Sequence, residues 1–304
     1  MITKEARQML SLTAPTVMRV LRALSGLCDA SRSDTLPSVG TPERAALSQR
    51  VQQLFGLSDT SLMPDTALML QEWATTISDA AEVVELKLFD LVANGAFSQQ
   101  LQRQYRHEAD ALRQEARALA ALMGDIQGER SQERTLVSWL AYQTVPGFML
   151  GALLPQVAGW RNRNLFDHAN ALWELKAGDV LVTHKEGWRA LAQRLPSLPV
   201  DITAVVTEPL DRDTYRTLIA KGVAQVIELY ITPETGVLAY RRSPKAPFEL
   251  LAHWHPTESE NYLLQLVDGR PREVHLAEPL HWVGGRHFVF SAPVAPAPEP
   301  ARVA

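Results

Sequence analysis

The chain has 304 residues, of which 46% are hydrophobic and 21% are charged, a composition that supports a sizeable hydrophobic core. The formal net charge of -4 gives no overall positive field and argues against a nucleic-acid partner. The single cysteine, Cys28, cannot form an internal disulfide and favours a reducing compartment. The sequence has neither an apolar run of the about 20 residues that span a bilayer nor a secretory signal pattern, so we expect a cytoplasmic protein without a membrane span.

The first half of the chain carries helical patterns and one strand pattern. Apolar spacing predicts helices at residues 17–24, 44–54 and 67–80. Alternating apolar residues in ELKLFDL, residues 85–91, predict a half-buried strand. A short polar loop then leads into a predicted long amphipathic helix from about residue 101, with Tyr105 on its apolar side and RQEAR, residues 113–117, towards solvent.

The second half alternates strand patterns with helical ones. Short β-rich runs predict strands at 135–140, 179–184, 202–206 and 224–230, and helix-like segments lie between and beside them at 147–157, 165–175, 187–194 and 211–221. This alternation predicts a covered, mainly parallel sheet. After Tyr230, closely spaced strand patterns with turns at Asp268-Gly269 and Gly284-Gly285 predict a smaller antiparallel β subdomain.

These patterns predict an α/β fold class and divide the chain into four segments. The segments are a helical N-terminal part of the core at 1–80, a main α/β subdomain at 81–236, a small β subdomain at 237–291 and a Pro/Ala-rich tail at 292–304. The tail cannot build a core, and we expect it to be extended.

Common enzyme motifs are missing from the sequence. It contains no GxSxG, GxxxxGK[ST], GxGxxG, HExxH or CxxC pattern. His253 and His255 flank Trp254 on one face of a predicted strand, a spacing compatible with two metal ligands. Because no third ligand is evident, a structural or surface role for the two histidines is favoured over metal binding.

The segment ELYITPETGVLAYR, residues 228–241, resembles a segment of adenylate-forming enzymes of the acyl-CoA and aryl-CoA ligase superfamily, particularly the 4-coumarate–CoA-ligase-like branch. Those enzymes carry a sequence like YGSTETGG followed by a strand that ends in Arg. Further landmarks occur in the same order over roughly residues 15–290, although no single motif is intact. The resemblance implies the fold of the N-terminal core of these enzymes.

The family's phosphate loop reads like TSGSTGEPK, because small residues let backbone N–H groups surround the phosphates of ATP while a lysine supplies charge. The matching stretch here is LFDLVANGAFSQQ, residues 88–100, in which Gln99 and Gln100 stand where the lysine would be. Asn94, Gly95 and Ser98 are weak candidates for residual cofactor contacts. The sequence predicts that this loop has lost its phosphate-binding function.

Other parts of the resemblance carry further candidates and further departures. It assigns Glu234 as the Mg²⁺-binding carboxylate and Thr232 as a phosphate contact, while Pro233 replaces a threonine. Thr207 stands in VTEPL, residues 206–210, where the family's adenine loop would be. The end of the sequence shows neither the ribose-binding GRxD segment nor the lid domain with its catalytic lysine. We therefore expect neither ATP nor Mg²⁺ as a cofactor.

Three hypotheses about function remain open. The favoured one is a catalytically inactive relative of these ligases, with a protein partner for which it is a binding or scaffolding component in acyl or aryl-acid metabolism. The alternative is a divergent or split acid–thiol ligase whose lid domain is supplied by another polypeptide, with Glu234 binding Mg²⁺ and Thr232, Ser98 and Asn94 touching phosphate. The third is a retained pocket for an aromatic or acyl ligand. Its candidate lining residues, for which a core role is the competing interpretation, are Trp139, Tyr142, Phe148 and Trp188.

Overall fold

The computed structural model of the protein describes residues 10–26, 34–57, 66–80, 83–89, 103–124 and 134–289. The N-terminal part contains three helices: α1 (Ala14–Ser25), α2 (Pro42–Phe55) and α3 (Leu70–Ala80). The helices predicted for this part are confirmed within a few residues. Among the segments just given, no helix has the length and hydrophobicity of a membrane span. Cys28 and the tail at 292–304 lie outside the described residues.

A hairpin and a helix follow. Strand β1 (Glu85–Phe89) pairs antiparallel with β2 (Gln104–Glu108), and helix α4 (Ala109–Gly124) begins directly after β2. The predicted half-buried strand is confirmed, because burial alternates along β1. The predicted start of the long helix near residue 101 is wrong, since Tyr105 lies in β2 opposite Leu88 and only the segment from Ala109 is helical. The predicted solvent exposure of 113–117 is also wrong at Glu115, which is 1% exposed.

A nine-stranded sheet forms the centre of the molecule, in the order β13-β14-β9-β8-β7-β6-β5-β3-β4. Its parallel half consists of β3 (Thr135–Trp139), β4 (Arg161–Asn164), β5 (Val180–Thr183), β6 (Thr203–Val206) and β7 (Gln225–Thr232). Its antiparallel half adds β8 (Gly236–Arg241), β9 (Phe248–Leu250), β13 (His281–Gly284) and β14 (His287–Val289). The predicted α/β class with a parallel sheet is thereby confirmed.

A second, small antiparallel sheet consists of β10 (Trp254–Pro256), β11 (Tyr262–Val267) and β12 (Arg270–His275). The strands after Tyr230 are thus divided between two sheets, and four of them continue the main sheet instead of leaving it. The predicted domain boundary at residue 236 falls in the turn between β7 and β8, which are hydrogen-bonded neighbours.

Helical segments cover both faces of the parallel half. They are a π-helical segment (Gly147–Leu153), α5 (Leu154–Ala158), a 3₁₀ segment (Ala169–Glu174), α6 (Lys185–Arg194) and α7 (Arg212–Ala220). Successive residues of β3 face opposite cores, because side chains alternate along a strand. Leu136 packs in the larger core, while Val137 packs in the smaller one with Trp188. All residues of β5 and β6 are buried, as expected for covered parallel strands.

Candidate functional site

The turn between β7 and β8, residues 232–236, carries the two residues that the resemblance singles out. The hydroxyl oxygens of Thr232 and Thr235 are 2.6 Å apart in a hydrogen bond, and the backbone N–H of Thr235 also donates to Thr232 Oγ1 at 3.3 Å. Gly236 closes the turn at φ +83°, where a side chain would be strained. Glu234 lies half-buried between them. The turn therefore uses the hydroxyl of Thr232 to hold its own backbone.

Residues of β2 and α4 brace this turn from outside. His107 Nε2 lies 2.9 Å from the carbonyl oxygen of Pro233, which can only accept, so His107 carries its proton on Nε2. Burial lowers the pKa of His107 to about 4 and keeps the ring neutral. Glu115 Oε1 accepts a 2.8 Å hydrogen bond from the N–H of Val237, and burial raises the pKa of this carboxyl well above its usual range. The turn is fixed by two buried side chains.

The charges near the turn are mainly negative. Burial, followed by the charges of Glu278 and Glu234, raises the pKa of Tyr230 to about 12. Arg272 is close enough to His107 to act on its pKa, but it forms a 3.1 Å ion pair with Glu108. In the part of the chain that the structure describes, no three His, Cys, Asp or Glu side chains are arranged to hold a metal ion.

Two other landmarks lie near Glu228 of β7, four residues before Thr232. Thr207 follows β6, is 6% exposed, and its Oγ1 has no hydrogen-bond partner among the described residues. Arg241, at the end of β8, forms a buried 2.5 Å ion pair with Glu228 of β7 and lies over the ring of Phe248. Burial raises the pKa of Glu228, and Arg241 opposes that effect. The arginine that ends the strand thus holds β7 and β8 together.

The structure does not bring the four candidate pocket aromatics together. Trp188 is fully buried in the smaller core and donates from Nε1 to the carbonyl of Val205 at 2.9 Å, and Trp139 packs against the same core. Phe148 is fully buried in the larger core on the other face of the sheet. Tyr142 lines a cavity.

That cavity has a volume of about 700 Å³ and lies beside β3 and β4. Its walls come from the end of α1, from α2, from residues 140–143 after β3, from residues 164, 166 and 167 at the end of β4, and from Phe89 and Gln104, where the connecting segment joins β1 to β2. Three of its side chains are arginines: Arg19, Arg22 and Arg50. Sequence reasoning missed all three. The i, i+3 pair of Arg19 and Arg22 on helix α1 is a sequence signal that could have drawn attention to two of them, but it does not reveal Arg50.

No family model matches the chain. Curated proteins do: the 4-coumarate–CoA ligase of Halorhodospira halophila is 27% identical over 305 aligned residues, which cover 92% of this chain and 74% of that protein. The protein of the same name from Cereibacter sphaeroides is 27% identical over 225 residues, covering 70% of this chain and 53% of that protein. The chain is similar to proteins named 4-coumarate–CoA ligase.

Solved structures show the same fold. An acyl-CoA synthetase (AMP-forming)/AMP-acid ligase II-like protein from Dyadobacter fermentans matches at a TM-score of 0.51 with 14% identity, over 72% of this chain and 62% of that one. ATP-bound MatB from Rhodopseudomonas palustris matches at 0.51 with 14% identity, over 89% and 70%. The fold resemblance expected from residues 228–241 is therefore confirmed.

The remaining candidate residues have the following positions. Asn94, Gly95 and Ser98 lie outside the described residues. His253 is 3% exposed and packs on Trp254, and burial, followed by the charges of Arg286 and His255, lowers its pKa to about 4. The Arg286 cation near the His253 ring disfavours a bound metal ion there.

Proposed function

We propose that the chain is a catalytically inactive relative of the adenylate-forming ligases that acts in the cytoplasm as a binding or scaffolding component, with a protein partner, in acyl or aryl-acid metabolism. The observation that carries this proposal is the state of the turn at 232–236. Its threonine hydroxyls bond each other, and the Pro233 carbonyl and Val237 N–H are held by His107 and Glu115. Few of its polar groups remain for a phosphate.

The electrostatics support the same conclusion. Adenylation needs concentrated positive charge to stabilise the α-phosphate while a carboxylate attacks it. The described surroundings of Glu234 offer a second carboxylate, Glu278, and the exposed Glu208 follows β6. A nucleotide polyphosphate would be repelled by this set of charges. The donors described here do not fit ATP·Mg²⁺.

Two measurements test the proposal. Isothermal titration of the purified chain with ATP·Mg²⁺ is expected to show no binding, and pyrophosphate exchange with aryl and fatty acids is expected to stay at background. Glu234→Gln is the matched variant, because it removes the candidate Mg²⁺ ligand while conserving size, and it should change neither result. Tight ATP binding together with exchange that Glu234→Gln abolishes would contradict the proposal.

A divergent or split acid–thiol ligase is the second candidate. The unpartnered Oγ1 of Thr207 at the carboxyl end of β6 favours it, as does similarity over 92% of the chain to a protein named as a ligase. In that case Glu234 would bind Mg²⁺, Thr232 would contact phosphate, and a lid domain would come from another polypeptide. Copurification from the native host tests this: a complex without a lid-like subunit and without ligase activity counts against it.

A further inference from the structure

Strand β4 ends the nine-stranded sheet, and its outer edge has no partner strand among the described residues. The N–H groups of Arg161 and Leu165 donate at 2.9 Å to main-chain carbonyl groups on the β3 side. Because main-chain groups of successive residues point to opposite edges of a strand, the N–H and C=O of Asn162 and the N–H of Asn164 point away from β3. No described residue bonds to these three groups. The edge therefore offers main-chain donors and an acceptor to another strand.

The same edge carries positive charge. Arg163 is paired directly with Val137 of β3, so Arg161 and Arg163 lie on the face of the sheet that Val137 shares with the smaller core. Arg163 forms an ion pair with Glu174, whereas the exposed Arg161 has no ion pair with a described residue. The two arginines exceed the one carboxylate, which makes this edge a local exception in a chain with a formal net charge of -4.

An exposed tryptophan lies beside these charges. Trp173 precedes Glu174 in the 3₁₀ segment and is 57% exposed. Ala171 and Leu172 of the same segment are buried in the smaller core, so the segment is anchored to the face of the sheet that carries the two arginines. Tryptophan contributes strongly to binding of partners, because it covers a large apolar area with few rotatable bonds.

A second copy of the chain does not match this edge. Two identical edge strands related by a twofold axis perpendicular to the sheet pair antiparallel, and the axis keeps each side chain on its own face. Pairing centred on Asn162 then places Arg161 of one copy directly opposite Arg163 of the other. Like charges directly opposite each other destabilise a strand pair. A strand with acidic residues at alternate positions is attracted instead.

We propose that the outer edge of β4 binds an extended segment of a partner protein that carries acidic residues at positions i and i+2. This inference rests on the proposed function, because it names the kind of protein partner and where it binds. The segment adds as an antiparallel strand, and its central residue exchanges two main-chain hydrogen bonds with Asn162. Its carboxylates lie opposite Arg161 and Arg163, and an apolar residue next to them packs on Trp173.

Peptide titration of the purified full chain, followed by fluorescence anisotropy, tests the site. The probe is a labelled peptide with blocked ends, Ser-Val-Glu-Thr-Glu-Val-Ser. One control peptide has lysine in place of both glutamates. The other has N-methylthreonine at its centre, which removes the N–H that donates to the C=O of Asn162. The glutamate peptide is expected to bind, and both controls are expected to bind at least about tenfold more weakly.

A double charge reversal locates the site. Arg161→Glu combined with Arg163→Glu is expected to weaken binding of the glutamate peptide at least about tenfold and to make the lysine peptide the tighter ligand. Arg212→Glu combined with Arg216→Glu, at exposed positions of α7, makes the same change in net charge and should keep the original affinities within about twofold. Trp173→Ala should weaken the glutamate peptide several-fold. Circular dichroism verifies that each variant is folded.

The proposal is overturned if the glutamate peptide does not bind, if either control peptide binds as tightly, or if the charge reversal in β4 leaves the preference unchanged. A dimer in analytical ultracentrifugation that the β4 double variant dissociates would assign the edge to a second copy and overturn it too. None of these experiments uses ATP. Failure of this site would leave the proposed loss of adenylation standing, and ATP binding with pyrophosphate exchange would contradict the proposed function without changing the peptide result.

Discussion

The turn at 232–236 and the arginine-lined cavity lie at the same carboxyl edge of the parallel strands. They differ in whether their polar groups have hydrogen-bond partners. In the turn, the threonine hydroxyls, the Pro233 carbonyl and the Val237 N–H all bond to neighbours. In the cavity, the guanidinium groups of Arg19 and Arg50 lack such partners among the described residues. Polar groups that bond within the fold make that region rigid. Polar groups without a partner in the fold remain available to bind a ligand.

The largest expected effect concerns the ion pair that holds the strands on either side of the turn. Arg241→Met is expected to lower the free energy of unfolding by about 3–5 kcal/mol, because Glu228 would remain buried without its cation. Urea unfolding measures the change. The matched control Arg216→Met removes an exposed ion pair with Asp213 and should cost less than about 0.5 kcal/mol. Equal effects for the two variants would mean that the hairpin is not held by this pair.

The next effect concerns the left-handed glycine of the turn. A Cβ at Gly236 would overlap Glu115 Oε2, in addition to the strain of about 1–2 kcal/mol for φ +83°. Gly269→Ala is a close control, because Gly269 has φ +79° and nothing within 4 Å of the added atom. Thermal unfolding should show Gly236→Ala as the more destabilised of the two by at least about 1 kcal/mol. A difference near zero would argue that Glu115 moves aside freely.

The ring of Tyr142 rests on a small residue of the π-helical segment. A Cβ at Gly151 would lie 2.9 Å from Tyr142 Cε1 and 2.8 Å from Ser138 Oγ. Gly151→Ala is expected to cost about 1–3 kcal/mol of stability in urea unfolding. Gly124→Ala, where the added atom has open space, should change stability by less than about 0.5 kcal/mol.

A further expected effect is a dependence of stability on pH, which comes from the brace of the turn. The folded-state pKa of Glu115 is raised above its ordinary value near 4.5, so the folded chain holds a proton that the unfolded chain releases. Stability should therefore fall as pH rises above about 4.5 until the folded-state pKa is passed, by at most about 1.4 kcal/mol per pH unit. Glu115→Gln keeps an acceptor for Val237 N–H and should remove that slope in urea unfolding between pH 5 and pH 8.

A slope that is the same in both proteins would assign the pH dependence to other groups. His107 and His253 have the opposite effect on stability. Because their folded-state pKa values are lowered to about 4, the stability of the fold decreases as pH falls from about 6.5 towards 4. The effect of Glu115 and the effect of the two histidines overlap below pH 6.5. Measurements above that pH therefore report mainly on Glu115.

The local pattern of apolar residues predicted the strands that are stabilised by burial. It missed the strands that depend on hydrogen bonding to a neighbouring strand. The apolar runs of β5 and β6 identified them from sequence, because both of their faces are covered. Strand β4 reads RNRN and was not predicted, since it exists through its parallel pairing with β3 at the edge of the sheet. Residues 104–108 looked helical for the same reason: their strand conformation depends on the pairing of β2 with β1.

The same holds for the site residues: some could be predicted from the neighbouring sequence, and others depend on contacts with distant parts of the chain. Glu115 has a helical pattern that predicts solvent, but its partner, Val237 N–H, lies 122 residues away in the chain. The cavity arginines come from two helices, and nothing local to either helix shows that they face one space. Glu234 and Thr232, by contrast, stand together because they share one turn, and a resemblance of motifs was enough to find them.

The β1–β2 hairpin touches both regions. At the end where the connecting segment joins its strands, Phe89 N donates to Gln143 O at 3.0 Å beside the cavity, and on its second strand His107 donates to the Pro233 carbonyl. The hairpin is therefore hydrogen-bonded to the wall of the cavity and to the turn. A substitution that displaces the hairpin should disturb both regions.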